Sequence, residues 1–248
     1  MKTADTDFIQ TTYARRALEM ANNVMAAGRS RRCGQIVGNP GTGKTEAAEW
    51  LAAEMGGAYV AAWQSISVNG LLLAVARALG DDRLKDNTAN DRVFSVLRGL
   101  VPNRLIVVDE ANLLNWKHLE ALRTLPDQNG AGLVLVGTLL FDEYLHASKA
   151  QTLVAQLASR IGTKSVRFEA MSLRETTAAI IKPRYAGAEA DACKAFHTLC
   201  GGRWREAVEL AETCDRIMAV NNVAFGLDVV QSAAAAWGVV GARGKARA

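Results

Sequence analysis

Gly38-Asn39-Pro40-Gly41-Thr42-Gly43-Lys44-Thr45 is a complete G-x-x-x-x-G-K-[ST] run. Its glycines let the backbone wrap closely around phosphate oxygens and turn amide N–H groups inward. Asn39, Pro40, Gly41, Thr42 and Gly43 supply the cradle. Lys44 is placed to reach the β- and γ-phosphates, and the Thr45 hydroxyl to ligate Mg²⁺. Cys33 to Val37 before the run reads as a buried strand. Lys44 to Met55 after it reads as a helix, whose N-terminal dipole favours an anion. The motif implies a nucleoside triphosphate and leaves open what the energy is used for.

Outward from this loop the chain alternates strands and helices. Residues from about 7 to 27 carry an amphipathic stripe of Ile9, Tyr13, Ala17, Met20 and Val24, which predicts a helix. Gly56-Gly57 stops the loop helix, and Ala58 to Trp63 reads as a second strand. Ser67 caps a helix that Gly80 closes. A further helix from about Ala89 carries Val93, Leu97 and Leu100 inward. Leu105-Ile106-Val107-Val108 ending in Asp109-Glu110 reads as a buried parallel strand. Asn115 caps the next helix, and Gly132 to Gly137 is another apolar strand. Leu139 to Arg160 is helical with a break near Ser148, and Ser165 to Phe168 is a last strand. Such alternation predicts an α/β fold, a parallel sheet with helices on both faces.

The composition changes after Ala170. Four helical patterns follow: Leu173 to Lys182, Ala188 to Leu199, Trp204 to Met218 and Leu227 to Trp237, with Pro183 and Gly201-Gly202 as separators. The expected organisation is a nucleotide-binding α/β domain over 1–170, a small helical module over 171–240, and a basic, disordered tail over 241–248.

The rest of the composition mostly excludes. With 248 residues, half of them hydrophobic, a substantial core is expected. The net charge of +4 permits nucleic acid without demanding it. The four cysteines, Cys33, Cys193, Cys200 and Cys214, form no C-x-x-C pair, and the three histidines make no ligand cluster. Buried, reduced thiols are expected. No apolar run reaches membrane-spanning length, and no signal-peptide core is present. A soluble, cytoplasmic protein is expected.

Four further sequence elements carry candidate chemistry. Asp109 would hold Mg²⁺ through water, and Glu110 would polarise the attacking water. Two acids closing a buried strand are costly without a cation. A Glu beside the metal Asp points to hydrolysis rather than kinase-type transfer. Thr138 would face the γ-phosphate if its strand lies between the two motif strands; as a residue it reads equally well as a turn threonine. Arg160, at a helix end beside Gly162, reads by itself as a solvated cation favoured by the helix dipole. It also stands where it could reach a neighbour's nucleotide. Arg203 or Arg205 would aim at the nucleotide from the helical module, with a plain surface arginine as the alternative.

The order Gly38–Thr45, Asp109-Glu110, Gly137-Thr138, Arg160 and then Gly202-x-x-Arg205 resembles the AAA+ P-loop ATPases over nearly the whole chain. Within them it looks most like the transposition ATPases of the phage Mu B, TnsC and TniB group. The carrying stretches are Asp109-Glu110-Ala111-Asn112-Leu113-Leu114, Leu119-Glu120-Ala121-Leu122-Arg123, Asp127 through Thr138, and Ser159-Arg160-Ile161-Gly162. The resemblance implies ATP and Mg²⁺ as cofactors, with the helical module as a lid. It implies homo-oligomers, a ring or helical filament, with ATP at subunit interfaces. It also implies sequence-independent binding of double-stranded DNA and delivery of that DNA to a transposase in a bacterial host, from a phage- or transposon-borne gene. It makes Lys44, Thr45, Asp109 and Glu110 the phosphate, metal and hydrolytic residues. Thr138 becomes the sensor, Arg160 the trans arginine and Arg205 the lid sensor. Unlike the Mu protein, the chain leaves little room before Gly38 for a separate DNA-binding domain. DNA contacts are then expected from Trp63 to Ala78, Arg83 and Lys85, or from the Arg29–Arg32 run. Rival readings are a replication initiator or helicase loader, an ATP-dependent protein adaptor, and a nucleotide or small-molecule kinase. The Glu110 carboxylate argues against the kinase.

Overall fold

A computed structural model describes residues 8–146 and 152–238, for 152 and 153 the backbone only. Its centre is a five-stranded sheet of β1 (Cys33–Gly38), β2 (Ala58–Ala61), β3 (Leu105–Asp109), β4 (Gly132–Gly137) and β5 (Ser165–Phe168). The order is β2-β3-β4-β1-β5, and every pairing is parallel. This is the AAA-type P-loop fold that the motif order implied. All residues of β1, β3 and β4 are buried, as expected for parallel strands covered on both faces.

The strands alternate their side chains between two helical layers. Cys33 and Val37, Leu133 and Leu135, and Ile106 and Val108 share one core with helices α3 (Val68–Ala78), α4 (Asn90–Leu100), α5 (Trp116–Asn129), α6 (Leu139–His146) and α7 (Thr152–Ile161). Gly34 points the other way, where an added Cβ would strike Met20 and Val24 of α1 (Thr12–Ala26). α2 (Lys44–Glu54) packs on β3 and β2 as well as against α1. Ser67 Oγ accepts from Gly70 N at 3.0 Å, and Asn115 caps α5 with His118 answering it reciprocally.

Three expectations shift. The first helix starts at Thr12, not near residue 7, and Ile9 packs instead into the core of the helical unit. The second strand ends at Ala61, two residues short of Trp63. Pro183 does not separate two helices. It lies within α9 (Lys182–Arg184), which continues from α8 (Leu173–Thr176) through a π-helical stretch, Thr177–Ile181. The bond that the missing proline N–H would have made follows a stretch already out of α register, so the chain continues. The expected break near Ser148 and the basic tail lie outside the described residues.

The chain divides into two compact units, one of residues 12–40 and 44–168, the other of 1–11, 41–43 and 169–248. In the second, α10 (Ala190–Cys200), α11 (Trp204–Asn221) and α12 (Leu227–Ala236) gather Phe196, Leu210, Cys214 and Val230 around a core. Tyr185 stacks on Phe225 at 4.0 Å and donates to Asp215 Oδ1 at 2.7 Å. Gly202 is obligatory here. Its φ is +70°, and a Cβ would fall 2.2 Å from Met171 O. All four cysteines are buried and unpaired. Burial pushes the Cys33 thiol up to about 12 and Cys214 to about 11, so both stay protonated and inert. Among the described residues no helix is long and apolar enough to cross a membrane.

Candidate active site

Parallel strands put every C-terminus on one edge of the sheet, where ligands of such sheets bind. Val37 lies opposite Gly137, and Val108 opposite Leu135. The loop starting at Gly38, the Gly137-Thr138 step and the Asp109-Glu110 pair therefore leave the sheet at the same edge. β4 runs between β1 and β3, which is the condition set for Thr138. Two strand spacings, roughly 10 Å, separate the ends of β1 and β3, with Thr138 between them.

The loop follows the geometry its residues require. Gly41 and Gly43 have φ of +78° and +85°, a left-handed backbone that only glycine adopts without strain. Gly38 serves differently: a Cβ there would lie 2.4 Å from Phe168 O of the adjoining strand. α2 begins at Lys44 with no residue between loop and helix, so its first amides open into the loop. The Lys44 ammonium donates to Asn39 O at 2.8 Å, folded over the loop, and Thr45 is exposed on the first turn.

Asp109 is 3% exposed. Its carboxylate accepts from Glu110 N at 2.7 Å and from the Tyr59 hydroxyl at 3.1 Å. Both donors are neutral, and among the described residues no cationic side chain pairs with this buried carboxylate, which fits a metal. Among the described residues no group of three His, Cys, Asp or Glu could hold a metal alone. A Mg²⁺ at this edge would therefore take Asp109 and Thr45 together with phosphate oxygens, as Mg²⁺ commonly does. Such a bound Mg²⁺–triphosphate supplies the reactive γ-phosphoryl and a neutralising charge. With that group bound, Lys44 and the loop amides would hold the phosphates, and Glu110 would stand as the base for water.

Glu110 has φ 54° and ψ 37°, left-handed without being glycine. That conformation costs about 1–2 kcal/mol, and strain of this kind collects at functional sites. It turns the chain sharply out of β3. Asn112 Nδ2 donates to Glu110 Oε2 at 3.3 Å and steadies the carboxylate. Thr138 is half-buried, and its carbonyl accepts from Phe141 N at 3.1 Å at the start of α6. It lines an open cavity with Asn112, Leu114 and Phe141.

Sequence reasoning missed Tyr59. It lies on β2 beside Val107 and reaches along the strand to Asp109. Burial and the Asp109 carboxylate raise its pKa, so it remains a hydroxyl donor. The available signal was a polar-tipped aromatic in the short apolar strand read over Ala58 to Trp63; that this strand lies beside the acidic one came only from the sheet order. Tyr59→Phe should lower stability by about 1.5–3 kcal/mol, because a bond to a buried charge is lost. It should also weaken Mg²⁺-dependent turnover by about tenfold. Urea unfolding and a Mg²⁺ titration of phosphate release check the two effects separately.

Arg160 stands elsewhere. Its Nε and Nη2 donate to Asp127 Oδ1 and Oδ2, both at 3.0 Å, and Nη1 donates to Gln156 O at 3.0 Å. Arg160 lies in the last turn of α7, just before β5 begins; Lys164 Nζ donates to Arg160 O at 2.9 Å, and Lys164 O accepts from Gln35 N near the start of β1 at 2.9 Å. Arg160 therefore lies at the N-terminal edge of the sheet, opposite the phosphate loop. The six residues of β1 span roughly 20 Å, so it cannot reach the nucleotide of its own chain.

In the helical unit the Arg205 side chain is exposed, and its backbone N–H donates to Gly41 O at 3.1 Å. Arg203 Nε pairs with Glu206 Oε1 at 2.9 Å. Three of the cations named for DNA are engaged locally. Arg77 pairs with Asp86 at 2.6 Å, and Arg83 with the buried Asp81 at 2.6 Å. Arg32 Nη1 donates to Gly130 O and to Asn103 Oδ1. Trp63 is 52% exposed and Lys85 is exposed.

Residues 27–145 match the model of a family described as AAA domain. That span contains the phosphate loop, Asp109-Glu110 and Thr138, and stops short of Arg160. No curated protein matches the sequence. Among solved structures, the Thermotoga maritima RuvB Holliday junction branch migration motor aligns with a TM-score of 0.58. The two are 18% identical, over 92% of this chain and 70% of that one. Two point mutants of Thermotoga maritima RuvB align with TM-scores of 0.60 and 0.59, each 18% identical, over 92% and 90% of this chain and 70% of theirs. At such identity the likeness is one of fold. The family match, the glycine-lined loop and the buried Asp109 beside Glu110 agree. The chain carries an AAA-type P-loop ATPase domain and is an ATP hydrolase.

Proposed function

We propose that this ATPase works as an oligomer on double-stranded DNA, as a target-selection ATPase that delivers the duplex to a transposase and stimulates it. One observation supports oligomeric action above the others. Arg160 stands at the sheet edge opposite Lys44 and Glu110, so it can complete a nucleotide site only in a second copy. ATP would then favour the subunit interface, because γ-phosphate gives the neighbour's Arg160 an anionic partner. Hydrolysis would loosen the interface and release DNA. By the resemblance to the AAA+ ATPases the helical unit, which carries Arg205 at the start of α11, would act as a lid.

The DNA part of the reading rests on the resemblance to the Mu B, TnsC and TniB group and is in keeping with the RuvB-like fold. Exposed Trp63, Lys85 and backbone amides of the β2–α3 connection are the groups offered to phosphates. Binding through them would be independent of sequence and weaken with salt. The RuvB likeness equally favours a DNA motor of another kind, and a transposase gene beside this one would separate the two.

The test is sedimentation and electron microscopy of the protein with unrelated linear duplexes, in ATP and in ADP. Regular oligomers on every duplex in ATP, dispersed in ADP, are expected. A protein that stays monomeric and ignores DNA at saturating ATP would overturn the proposal.

A further inference from the structure

α5 carries Glu120, Arg123 and Asp127 on one face. Arg123 bridges Glu120 and Asp127 along the helix, and Asp127 then reaches across to Arg160 on α7. Arg123 and Asp127 side chains are 13% and 21% exposed, and Arg160 21%. The bond from Arg123 holds the Glu120 carboxyl below the usual range and raises the Arg123 guanidinium. Asp127 therefore has a cationic partner on its own helix before Arg160 is counted. Its grip on Arg160 is not needed to neutralise a stranded acid.

What that grip does is fix a plane. A guanidinium has five N–H donors. Here Nε, one bond of Nη2 and one bond of Nη1 are taken by Asp127 and Gln156 O. Among the described residues the second N–H of each terminal nitrogen has no acceptor, and arginine N–H groups are good donors to phosphate oxygens. The carboxylate sets the rotation of the group and the backbone carbonyl sets its reach. A side chain held at three points loses little further freedom when it meets an anion.

We propose that Asp127 is a positioning residue for Arg160, orienting the guanidinium toward the γ-phosphate bound by a neighbouring copy of this chain. The proposal rests on the trans reading of Arg160 given above, and the two can fail separately. Asp127 is paired with Arg160, at the sheet edge opposite the phosphate loop, so its effect should belong to the chain that donates the arginine and be absent from the chain that binds the ATP.

Mixed oligomers make that asymmetry measurable. Arg160→Ala chains keep an ATP site and lack the arginine; Lys44→Ala chains lack the ATP site and keep the arginine. Mixing the two inactive proteins should restore phosphate release. Absence of any restoration removes the trans reading, and this proposal with it. Given restoration, Asp127→Asn placed in the Lys44→Ala chain should cut the regained rate by about tenfold to a hundredfold, the cost of a misaimed group. The same substitution in the Arg160→Ala chain should add nothing. Asp127→Glu, which keeps the charge but shifts it by one methylene, should show the same one-sided loss and answers for any folding defect of Asp127→Asn. Equal loss on both sides would make Asp127 merely structural. No loss on the donor side would overturn the positioning role outright.

Discussion

Glu110→Gln should bind ATP as the parent protein does and hydrolyse it about 10²–10⁴-fold more slowly, the range for removal of a general base. The substitution keeps the size and an oxygen that can accept from Asn112. It leaves the left-handed backbone and the Asp109 hydrogen bonds as they are. Only the capacity to take a proton from water is lost. Fluorescent-nucleotide titration should give an unchanged dissociation constant, while single-turnover phosphate release collapses. Because the ATP state then persists, this variant should also hold the assembled state longest. Parental turnover would remove Glu110 from the chemistry and leave its strained backbone without a function.

Arg160→Ala should lower turnover by about 10³–10⁵-fold, the range seen for arginines supplied across an interface. It should abolish ATP-driven assembly while each chain still binds nucleotide. The contrary reading, a helix-end cation, predicts a loss of only about 0.3–1 kcal/mol of stability and no effect on the reaction. The two outcomes differ by orders of magnitude, so one measurement decides. Unfolding is not a confounding outcome, because Asp127 keeps Arg123 as a partner when Arg160 is gone and no buried charge is stranded. Thermal melting near that of the parent, with turnover lost, is the expected pair of results.

The location of Arg160 shows what the sequence left open. An arginine beside a glycine at a helix end is one of the commonest patterns in proteins. Its possible meaning depends on which edge of the sheet that helix reaches, and nothing local encodes that. The same holds for Tyr59, whose phenol matters only because β2 is laid beside β3 in a register that brings it to Asp109. It holds again for Arg77, Arg83 and Arg32, which lie in stretches expected to contact DNA and are engaged by carboxylates and carbonyls of their own chain.

The loop, by contrast, was legible in full, since glycine, lysine and threonine at fixed offsets specify a backbone path and a charge without help from distant residues. The strands around it were legible too, because a run of apolar residues bounded by turn signals is a local property. Where Pro183 and the residues before Thr12 departed from expectation, the competing influence was tertiary. A π-helical stretch let the chain run on through a proline, and the core of the helical unit drew Ile9 out of a helix its spacing favoured.

The sequence alone thus determined the phosphate loop, the acidic strand end and the α/β alternation, because each is written in neighbouring residues. Only the tertiary structure decided that β4 separates the two motif strands and that Tyr59 braces Asp109. It alone placed Arg160 on the far edge, paired with Asp127. Strand order and helix placement come from the burial of surfaces far apart in the chain, and short-range patterns do not carry that information.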